Sequence, residues 1–369
     1  MPSVFFYVSG HGFGHASRQI EIINALRGRL PLAWQIAVRT DAAPRLFERT
    51  ARPPITLLPG ECDTGVIQVD SLRLDEAATA REAARFYATF ESRAADEARL
   101  LRTHDARLVL ADAPPLGLAA AAAAGVESIV VGNFTWNWIY EGYGERFTRD
   151  APDVLPVIRD AYRAAGGGWR LPMHGGFATV SPVEDLPFVA RHAAHSRDQV
   201  LGALGIPSDR PVVLSSFGGF GLSGFDIASV DCLGDYTVVI TRWQDSSPPP
   251  ARVACVDEGR MYALGFRYED LVAAADAVVT KPGYGIVSEC IANGTAILYT
   301  SRGRFVEYDV LVREMPRYLR CTSLDQDALL AGRWRDALDA LLEQPAPPER
   351  PRTDGADAAA AGIMRRLSV

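Results

Sequence analysis

The chain has 369 residues, 48% of them hydrophobic and 22% charged, and a chain of this length usually forms two domains. It carries 38 Lys and Arg against 45 Asp and Glu, a net charge of −7, so its surface as a whole should repel nucleic acids and anionic membranes. We therefore do not expect a nucleic-acid partner.

The cysteines and the apolar runs favour a cytoplasmic protein. The five cysteines are odd in number and scattered without Cys-x-x-Cys spacing, which argues for a reducing compartment and against a disulfide framework or a structural zinc site. The first strand-like run starts at Val4 without the basic and apolar regions of a signal peptide. No apolar stretch approaches the roughly 20 residues that span a bilayer, so we expect no integral membrane segment.

In the first half of the chain, short apolar runs rich in β-branched residues alternate with helical patterns. Strands are predicted at 4–8, 33–38, 55–58, 108–112, 128–131 and 177–180, and one long, mostly polar helix at 75–103. This alternation is typical of a parallel sheet covered by helices.

The loop after the first predicted strand is rich in glycine and contains two histidines. Its glycines, Gly10, Gly12 and Gly14, do not match the G-x-G-x-x-G of dinucleotide-binding folds, and no phosphate-loop lysine follows them, so a nicotinamide or ATP site is not supported. His11 and His15 lie at the carboxyl end of the strand, where open α/β sheets bind ligands. A lone surface histidine is usually inert, but two in one glycine-rich turn favour a functional role.

Two later loops follow predicted strands of the same sheet. Asp112 ends the strand at 108–112, and prolines stop that strand directly afterwards. The loop at 132–140 carries four aromatic residues within seven positions. These aromatics fit a hydrophobic core and the wall of a binding pocket equally well.

In the second half of the chain the β/α alternation begins again. Strands are predicted at 211–216, 236–241, 253–256, 261–264, 276–280 and 296–300, followed by closing helices and a tail helix at 354–367. We place the linker near 182–192. The predicted domains are 1–185, 186–350 and a C-terminal helical segment at 351–369.

The stretch at 280–291 has the pattern of a ligand site. Gly283 and Gly285 separate a buried strand from a helix, so the backbone could approach a ligand closely while the first N–H groups of the helix point at an anion such as a diphosphate. Glu289 is predicted in the first helical turn, where it could accept bonds from two ribose hydroxyls. Alternatively, the glycines only turn the chain and Glu289 complements the helix dipole.

Three motifs give the chain a family resemblance. They are GHGFGHASR at 10–18, NFTW at 133–136 and KPGYG at 281–285 followed by Ser288-Glu289. The chain resembles the nucleotide-sugar glycosyltransferases of the GT-B fold, in particular a glycosyltransferase-like family that also forms the N-terminal half of plant L-arabinokinases. It is more distantly similar to the peptidoglycan N-acetylglucosaminyltransferase and to UDP-glycosyltransferases. The resemblance implies an α/β protein with two Rossmann-like β/α/β domains facing across a cleft and a C-terminal helix that crosses back to the N-terminal domain.

The resemblance implies a catalytic pair in the N-terminal domain. His15 corresponds to the base that deprotonates the acceptor, and Asp112 to the carboxylate that orients it. A carboxylate on one ring nitrogen fixes the tautomer and raises the basicity of the other nitrogen. The residues that we assign to the acceptor side are His11, Phe13, Asp63, Gln68, Asn133, Trp136 and Trp138.

The resemblance also implies a donor site in the C-terminal domain. Its predicted residues are Gly218, Gly219, Phe266, Arg267, Lys281, Gly283, Tyr284, Gly285, Ser288, Glu289, Arg304 and Glu307. The glycines would lie against the diphosphate, backbone near Phe266 and Arg267 against the base, and Glu289 against the ribose. Many relatives hold the donor sugar with an Asp-Gln or Gln-Gln pair, which Arg304 and Glu307 replace here, so the sugar stays open.

The resulting hypothesis is an inverting glycosyltransferase that moves a sugar from a nucleoside-diphosphate sugar to a small-molecule acceptor. We expect no metal and no cofactor besides this co-substrate. The alternatives are an epimerase or hydrolase of nucleotide sugars on the same fold and a non-catalytic nucleotide-sugar-binding module. The aromatic loop favours an external acceptor, and the presence of both His15 and Asp112 favours catalysis.

Overall fold

The computed structural model describes residues 1–217, 225–241 and 249–368. The chain forms two compact units. The N-terminal unit contains Met1–Val69, Leu74–Ala190 and Arg352–Val369, and the C-terminal unit contains Asp70–Arg73 and Arg191–Pro351. Within the described ranges, no helix combines the length and the apolar composition needed to cross a membrane.

The N-terminal unit is built on a seven-stranded parallel sheet with the strand order β3-β2-β1-β4-β5-β6-β7. The strands are β1 (Ser3–Val8), β2 (Gln35–Thr40), β3 (Thr56–Pro59), β4 (Ala106–Asp112), β5 (Glu127–Gly132), β6 (Gly168–Arg170) and β7 (Val183–Asp185). Every residue of the interior strand β1 is buried, so the sheet is covered on both faces there. Because β1, β4 and β5 are adjacent and parallel, their carboxyl ends lie side by side.

The end of this sheet differs from the sequence prediction. No strand forms at 177–180, because Phe177 is buried with a φ of 70°, which an extended strand cannot adopt. Instead, β7 comes from the segment that was predicted to be a linker. Its three side chains are half-buried or exposed, so no hydrophobic alternation marks it in the sequence.

The helices of the first unit pack around this sheet. In chain order they are α1 (Phe13–Arg27), α2 (Pro44–Thr50), α3 (Glu76–Tyr87), α4 (Phe90–Thr103), α5 (Pro115–Ala124), α6 (Trp136–Glu141), α7 (Glu145–Asp150) and α8 (Val154–Arg163). The single helix predicted at 75–103 is thus two helices. The break lets the rings of Tyr87 and Phe90 stack with centroids 5.3 Å apart.

The C-terminal unit has a six-stranded parallel sheet with the order β10-β9-β8-β11-β12-β13. The strands are β8 (Val212–Ser216), β9 (Thr237–Ile240), β10 (Val253–Cys255), β11 (Ala277–Thr280), β12 (Ala296–Tyr299) and β13 (Cys321–Ser323). The short edge strand β13 was not predicted.

The remaining helices are α9 (Arg197–Leu204), α10 (Glu258–Ala263), α11 (Tyr268–Ala274), α12 (Tyr284–Asn293), α13 (Tyr308–Glu314), α14 (Gln326–Leu330), α15 (Arg335–Leu342) and α16 (Gly355–Leu367). The strand predicted at 261–264 is wrong, since α10 occupies most of that stretch. Its N-cap, Asp257, accepts a hydrogen bond from the backbone N–H of Arg260 and so favours a helix.

The last helix, α16, belongs to the N-terminal unit and packs on α1. Ala359, Ala360 and Ile363 of α16 are fully buried in the core of that unit. A Cβ atom at Gly362 would come within 2.6 Å of the Trp169 ring, so only glycine allows this close approach.

Candidate functional site

In the N-terminal unit, His15 and Asp112 form a buried pair at the carboxyl ends of β1 and β4. His15 lies in the first turn of α1, and Asp112 is the last residue of β4. The imidazole Nδ1 is 2.8 Å from Asp112 Oδ2. Because an ionised carboxylate only accepts hydrogen bonds, Nδ1 carries the proton and donates it, which leaves Nε2 as an acceptor.

Arg18 occupies the other oxygen of Asp112. Its Nη2 donates to Oδ1, and its Nη1 donates to Oδ1 of Asn133 over 2.6 Å. Burial by itself would raise the pKa of Asp112, but the adjacent Arg18 and His15 outweigh burial and lower it. Asp112 is therefore an anion at neutral pH. Arg18 was missing from the predicted site, although its position three residues after His15 on one helix face indicates the contact.

The second ring nitrogen of His15 is uncommitted. Within the described part of the chain, Nε2 has no hydrogen-bond partner. The ring contacts Phe134, which meets it edge-on with centroids 5.7 Å apart, and Trp136, whose centroid is 6.3 Å away at an interplanar angle of 28°. Phe134 and Trp136 also contact each other. His15 is thus held by these two aromatic rings and by the hydrogen bond at Nδ1, with Nε2 left to accept a proton.

His11 is bonded differently. The backbone N–H of Val66 donates to its Nδ1 over 3.3 Å, so the proton of the neutral ring lies on Nε2. This N–H has an acceptor when the Gln68 amide, 3.2 Å away, turns its otherwise unpaired oxygen towards the ring. Both ring nitrogens of His11 therefore have partners inside the N-terminal unit. The ring packs so closely on Gly65 that a Cβ atom there would lie 2.6 Å from it.

Asp63 is a second buried carboxyl group beside the histidines. Its Oδ1 accepts from the Ser9 hydroxyl over 2.9 Å, and its Oδ2 accepts from the indole N–H of Trp136 over 2.7 Å. Burial raises the pKa of Asp63 to about 7, and its interactions with His15, Ser9 and Trp136 oppose that rise. Asp63 therefore titrates near neutrality, unlike Asp112.

The residues assigned to the acceptor side differ in exposure. Asp63, Asn133 and Trp136 are buried, Gln68 and Trp138 are half-buried, and Phe13 is 38% exposed. The indole of Trp136 also stacks on the Tyr140 ring, with centroids 5.7 Å apart. In this arrangement Trp136 positions Asp63 and His15.

In the C-terminal unit, the turn at 281–283 connects β11 to α12 as predicted from the glycine pattern. Gly283 is the N-cap of α12, and no side-chain hydrogen bond caps this end of the helix. A Cβ atom at Gly283 would meet no atom of the described residues within 4 Å, so the space beside the turn is open. These features suit an anion at the start of the helix.

Glu289 lies in the second turn of α12, not in the first turn as predicted. It is 4% exposed, and its Oε1 accepts from both Nε and Nη2 of Arg191, the former over 2.7 Å. Burial raises the pKa of Glu289, and Arg191 only partly offsets it. The helix dipole acts mainly on charges in the first turn, and Glu289 lies in the second turn. The alternative that Glu289 only complements the helix dipole is therefore excluded.

Arg191 also approaches a second buried carboxylate. Its Nη1 is 3.2 Å from Oε2 of Glu269, a residue only 2% exposed. Burial would lower the pKa of Arg191, but the two glutamates outweigh burial and raise it. Arg191 therefore stays charged, and sequence reasoning did not identify it.

The Lys281 ammonium group lies near Arg302 and Glu307. Burial, together with the nearby Arg302, lowers its pKa to about 7, and Glu307 opposes that change. Among the described residues, the Lys281 ammonium has no hydrogen-bond or ion-pair partner. Arg302, which was not predicted, donates to the Pro282 carbonyl over 3.1 Å and to Glu307 over 3.2 Å.

The other donor-side residues have varied surroundings. Phe266 is buried and meets the His195 ring edge-on, Arg267 caps α11, and the Ser288 hydroxyl donates to the Gly285 carbonyl over 2.9 Å. Tyr284 is half-buried and Arg304 is exposed. Gly218 and Gly219 lie outside the described residues.

Acidic residues elsewhere in this unit serve local structure. Asp325, in the sequence Asp325-Gln326-Asp327, is the N-cap of α14 and accepts bonds from the backbone N–H groups of Asp327 and Ala328. In the described ranges, no three His, Cys, Asp or Glu side chains form a group that could hold a metal ion.

Comparison with solved structures identifies the architecture. The calicheamicin glycosyltransferase CalG4 matches with a TM-score of 0.66 and 17% identity, covering 99% of this chain and 98% of that chain. The kitacinnamycin glycotransferase matches with a TM-score of 0.65 and 17% identity over the full length of both chains. The fold is GT-B. SnogD of Streptomyces nogalater has this GT-B fold too, at a TM-score of 0.56 and 18% identity, covering 100% of this chain and 95% of that chain.

At the sequence level, the GT-B chain is similar to an L-arabinokinase. It is 28% identical to the L-arabinokinase of Arabidopsis thaliana over 347 residues, which cover 91% of this chain and 32% of the plant protein. The chain thus spans about a third of that relative's length. No protein-family model matches the chain. The predicted resemblance and the predicted fold class are both confirmed.

Proposed function

We propose that the protein transfers a sugar, with inversion, from a nucleoside-diphosphate sugar to a small-molecule acceptor. The observation that carries this proposal is the His15–Asp112 pair, in which Nδ1 is bound by a buried carboxylate while Nε2 has no partner among the described residues. A neutral imidazole held in this tautomer is suited to remove a proton from a hydroxyl group.

In the proposed reaction, His15 Nε2 takes the proton of the acceptor hydroxyl, and the hydroxyl oxygen forms a bond to the anomeric carbon of the donor sugar. The bond from that carbon to the diphosphate oxygen breaks, and its electron pair leaves with the nucleoside diphosphate. Asp112 stabilises the imidazolium that forms. Arg18 keeps the pKa of Asp112 low, so the proton remains on His15.

Groups in the C-terminal unit fit the charge of the leaving diphosphate. The uncapped start of α12 offers backbone N–H groups, and Lys281 offers an ammonium group without a partner in the described residues. A bound phosphate would raise the pKa of Lys281 back towards its ordinary value, because the anion stabilises the charged form. The diphosphate would leave without help from a metal ion.

Binding and product analysis together test the proposal. A nucleoside diphosphate at about 100 times its dissociation constant should stabilise the protein by roughly 2.7 kcal/mol in a thermal-shift screen. The nucleotide sugar that stabilises the protein is then incubated with candidate acceptors, and a new glycoside together with the free nucleoside diphosphate is expected. Release of diphosphate without an acceptor would indicate a hydrolase, and an altered donor sugar an epimerase. If no nucleotide binds, the proposal is wrong.

A further inference from the structure

One buried tyrosine hydroxyl connects the segments that follow two strands of the N-terminal sheet. Tyr162, in the last turn of α8, is fully buried, and its hydroxyl donates to the carbonyl of Ala113 over 2.6 Å. The same hydroxyl accepts from the backbone N–H of Trp136 over 2.9 Å. These roles are fixed, because a carbonyl oxygen only accepts and an N–H group only donates. A single side chain of α8 thus bonds both the segment after β4 and the segment after β5.

On the β4 side, the bonded carbonyl belongs to the residue that follows Asp112. Ala113 is buried and has a φ of 67°, a left-handed conformation that is unfavourable for residues with a Cβ atom. Such a conformation persists only where the surrounding structure holds it, and the hydrogen bond from Tyr162 holds this residue at its carbonyl. Because Ala113 is directly attached to Asp112, the bond restrains the backbone that orients the Asp112 carboxylate.

On the β5 side, the hydroxyl completes the start of α6. The first N–H groups of a helix lack partners within the helix, and the N-cap residue Thr135 makes no side-chain hydrogen bond to them. The Tyr162 hydroxyl takes the N–H of Trp136, the first residue of α6. Trp136 in turn contacts the His15 ring and donates its indole N–H to Asp63 over 2.7 Å.

The Tyr162 hydroxyl keeps its proton at neutral pH. Burial raises the pKa of Tyr162 well above its ordinary value, and the nearby Asp63 and Asp112 raise it further, although the bond from Trp136 opposes the rise. The hydroxyl therefore donates to Ala113 without exchanging its proton with the reactants. This excludes a direct acid–base role for Tyr162 and leaves a role through its two hydrogen bonds.

Resting on the transfer reaction proposed above, we propose that Tyr162 is a positioning residue for the base His15. Its hydroxyl links the backbone after Asp112, which bonds His15 Nδ1, to Trp136, which contacts the imidazole ring. It acts on turnover without touching a substrate. A tyrosine that only fills the core could be replaced by phenylalanine without any effect on the turnover of the folded protein.

Tyr162→Phe separates the two roles, because it keeps the ring and removes both hydrogen bonds. The variant should fold and bind a nucleoside diphosphate as tightly as the unmodified protein in titration calorimetry. Its kcat should fall by roughly 10- to 100-fold, the loss that a displacement on the order of 1 Å in a catalytic group can cause. Histidine-selective nitrogen NMR should show changed ring signals for His15, which are identified by their loss in His15→Ala.

Tyr7→Phe is the matched control in the same unit. The Tyr7 hydroxyl is also buried and donates to Glu97 over 2.9 Å, so its removal destabilises the fold without breaking a bond to a site residue. The kcat and the His15 signals of Tyr7→Phe should match those of the unmodified protein. In the His15→Ala background, Tyr162→Phe should add less than about twofold to the loss of turnover, because no base remains to be positioned.

Other outcomes would overturn the inference. An unchanged kcat in folded Tyr162→Phe, an equal loss in Tyr7→Phe, or multiplying losses in the double variant would each do so. A Tyr162→Phe protein that does not fold, beside a folded Tyr7→Phe protein, would also overturn it, since the hydroxyl would then be required by the fold rather than by turnover. If the unmodified protein transfers no sugar, the proposed function fails, whereas the His15 signals still test the effect of Tyr162, so the two failures are distinguishable.

Discussion

Each unit of the molecule pairs a buried carboxylate with an arginine, and the two pairs differ in what they leave free. Arg18 and His15 take one oxygen each of Asp112, whose pKa is lowered. Arg191 takes a single oxygen of Glu289, whose pKa is raised by burial. In the N-terminal unit the carboxylate is fully bonded and the free acceptor atom is Nε2 of its partner His15. In the C-terminal unit the carboxylate itself keeps the free acceptor atom.

The two arginines also reach their carboxylates in different ways. Arg18 is on the same helix as His15, so one turn of α1 delivers both partners to Asp112. Arg191 and Glu289 are far apart in the sequence, because most strands of the C-terminal sheet come between them. Arg191 is held beside Glu289 by its bonds to α12. A local and a long-range arrangement thus produce similar ion pairs with different chemical consequences.

The largest effect is expected where the free acceptor atom is removed from the N-terminal unit. His15→Ala should lower turnover by a factor on the order of 10²–10⁴, because positioned proton transfer contributes about that much, while binding of the nucleotide stays nearly unchanged. Steady-state kinetics and calorimetry measure the two effects. His11→Ala is the matched control and should be milder, since both nitrogens of His11 are bonded within the protein. Loss of turnover in His11→Ala but not in His15→Ala would reverse the assignment of the base.

Asp112→Asn should act through the same proton. The carboxylate accepts from His15 with one oxygen and from Arg18 with the other, whereas an amide has only one acceptor oxygen. His15 therefore loses its fixed tautomer. In the His15→Ala background the same change should add less than about twofold to the loss of turnover. Independent, multiplying losses in the double variant would show that Asp112 does not act through His15.

A smaller effect is expected in the C-terminal unit. Glu289→Ala removes one charge-assisted hydrogen bond to the nucleotide, so binding of a nucleoside diphosphate should weaken by about 1.5–3 kcal/mol. Glu343→Ala, an exposed glutamate of the same unit, serves as the control and should bind normally. If Glu289→Ala binds nucleotide as tightly as the unmodified protein, Glu289 is not in the donor site.

The third buried carboxyl group, Asp63, should show itself in the pH dependence of stability. Its pKa is about 7 in the folded protein and about 4 in an unfolded chain, so between these values the folded state holds the extra proton. The free energy of unfolding should therefore fall as the pH rises from 4 to 7, by at most about 1.4 kcal/mol per pH unit from this group.

Asp63→Asn should remove that slope, because an amide does not titrate in this range. Urea denaturation at several pH values, followed by tryptophan fluorescence, provides the comparison. Asp96→Asn, a change at an exposed position of α4, is the matched control and should keep the slope of the unmodified protein. A slope that persists in Asp63→Asn would assign the titration to another group.

Much of the fold could be predicted because most strands of the two sheets carry a strong apolar signal. The elements that were missed, such as β7 and β13, have three residues each and few buried side chains, so they form through backbone pairing at the sheet edges. The helix α10 was mistaken for a strand because its six residues lack a visible helical period and its N-cap, Asp257, was not taken into account.

The candidate site was predictable only where a motif or helical spacing marks its residues in the sequence. The family resemblance paired His15 with Asp112 in advance, and the two side chains meet because β1 and β4 are neighbouring parallel strands; Arg18 follows from helical spacing. Arg191 and Arg302 could not be predicted, because nothing in the sequence separates them from the other arginines. Their roles depend on which buried acceptor atoms the packing of α12 and of the turn after β11 brings within reach.

The position of α16 has a consequence for how the protein is made. The N-terminal unit needs α16 to complete its core beside α1, yet the ribosome synthesises the whole C-terminal unit before it reaches that helix. At ordinary elongation rates this interval is on the order of 10 s, during which the face of α1 that α16 covers, together with Trp169, remains exposed to water. We therefore expect the N-terminal unit, although its synthesis begins first, to complete its core only after the C-terminal unit has been synthesised.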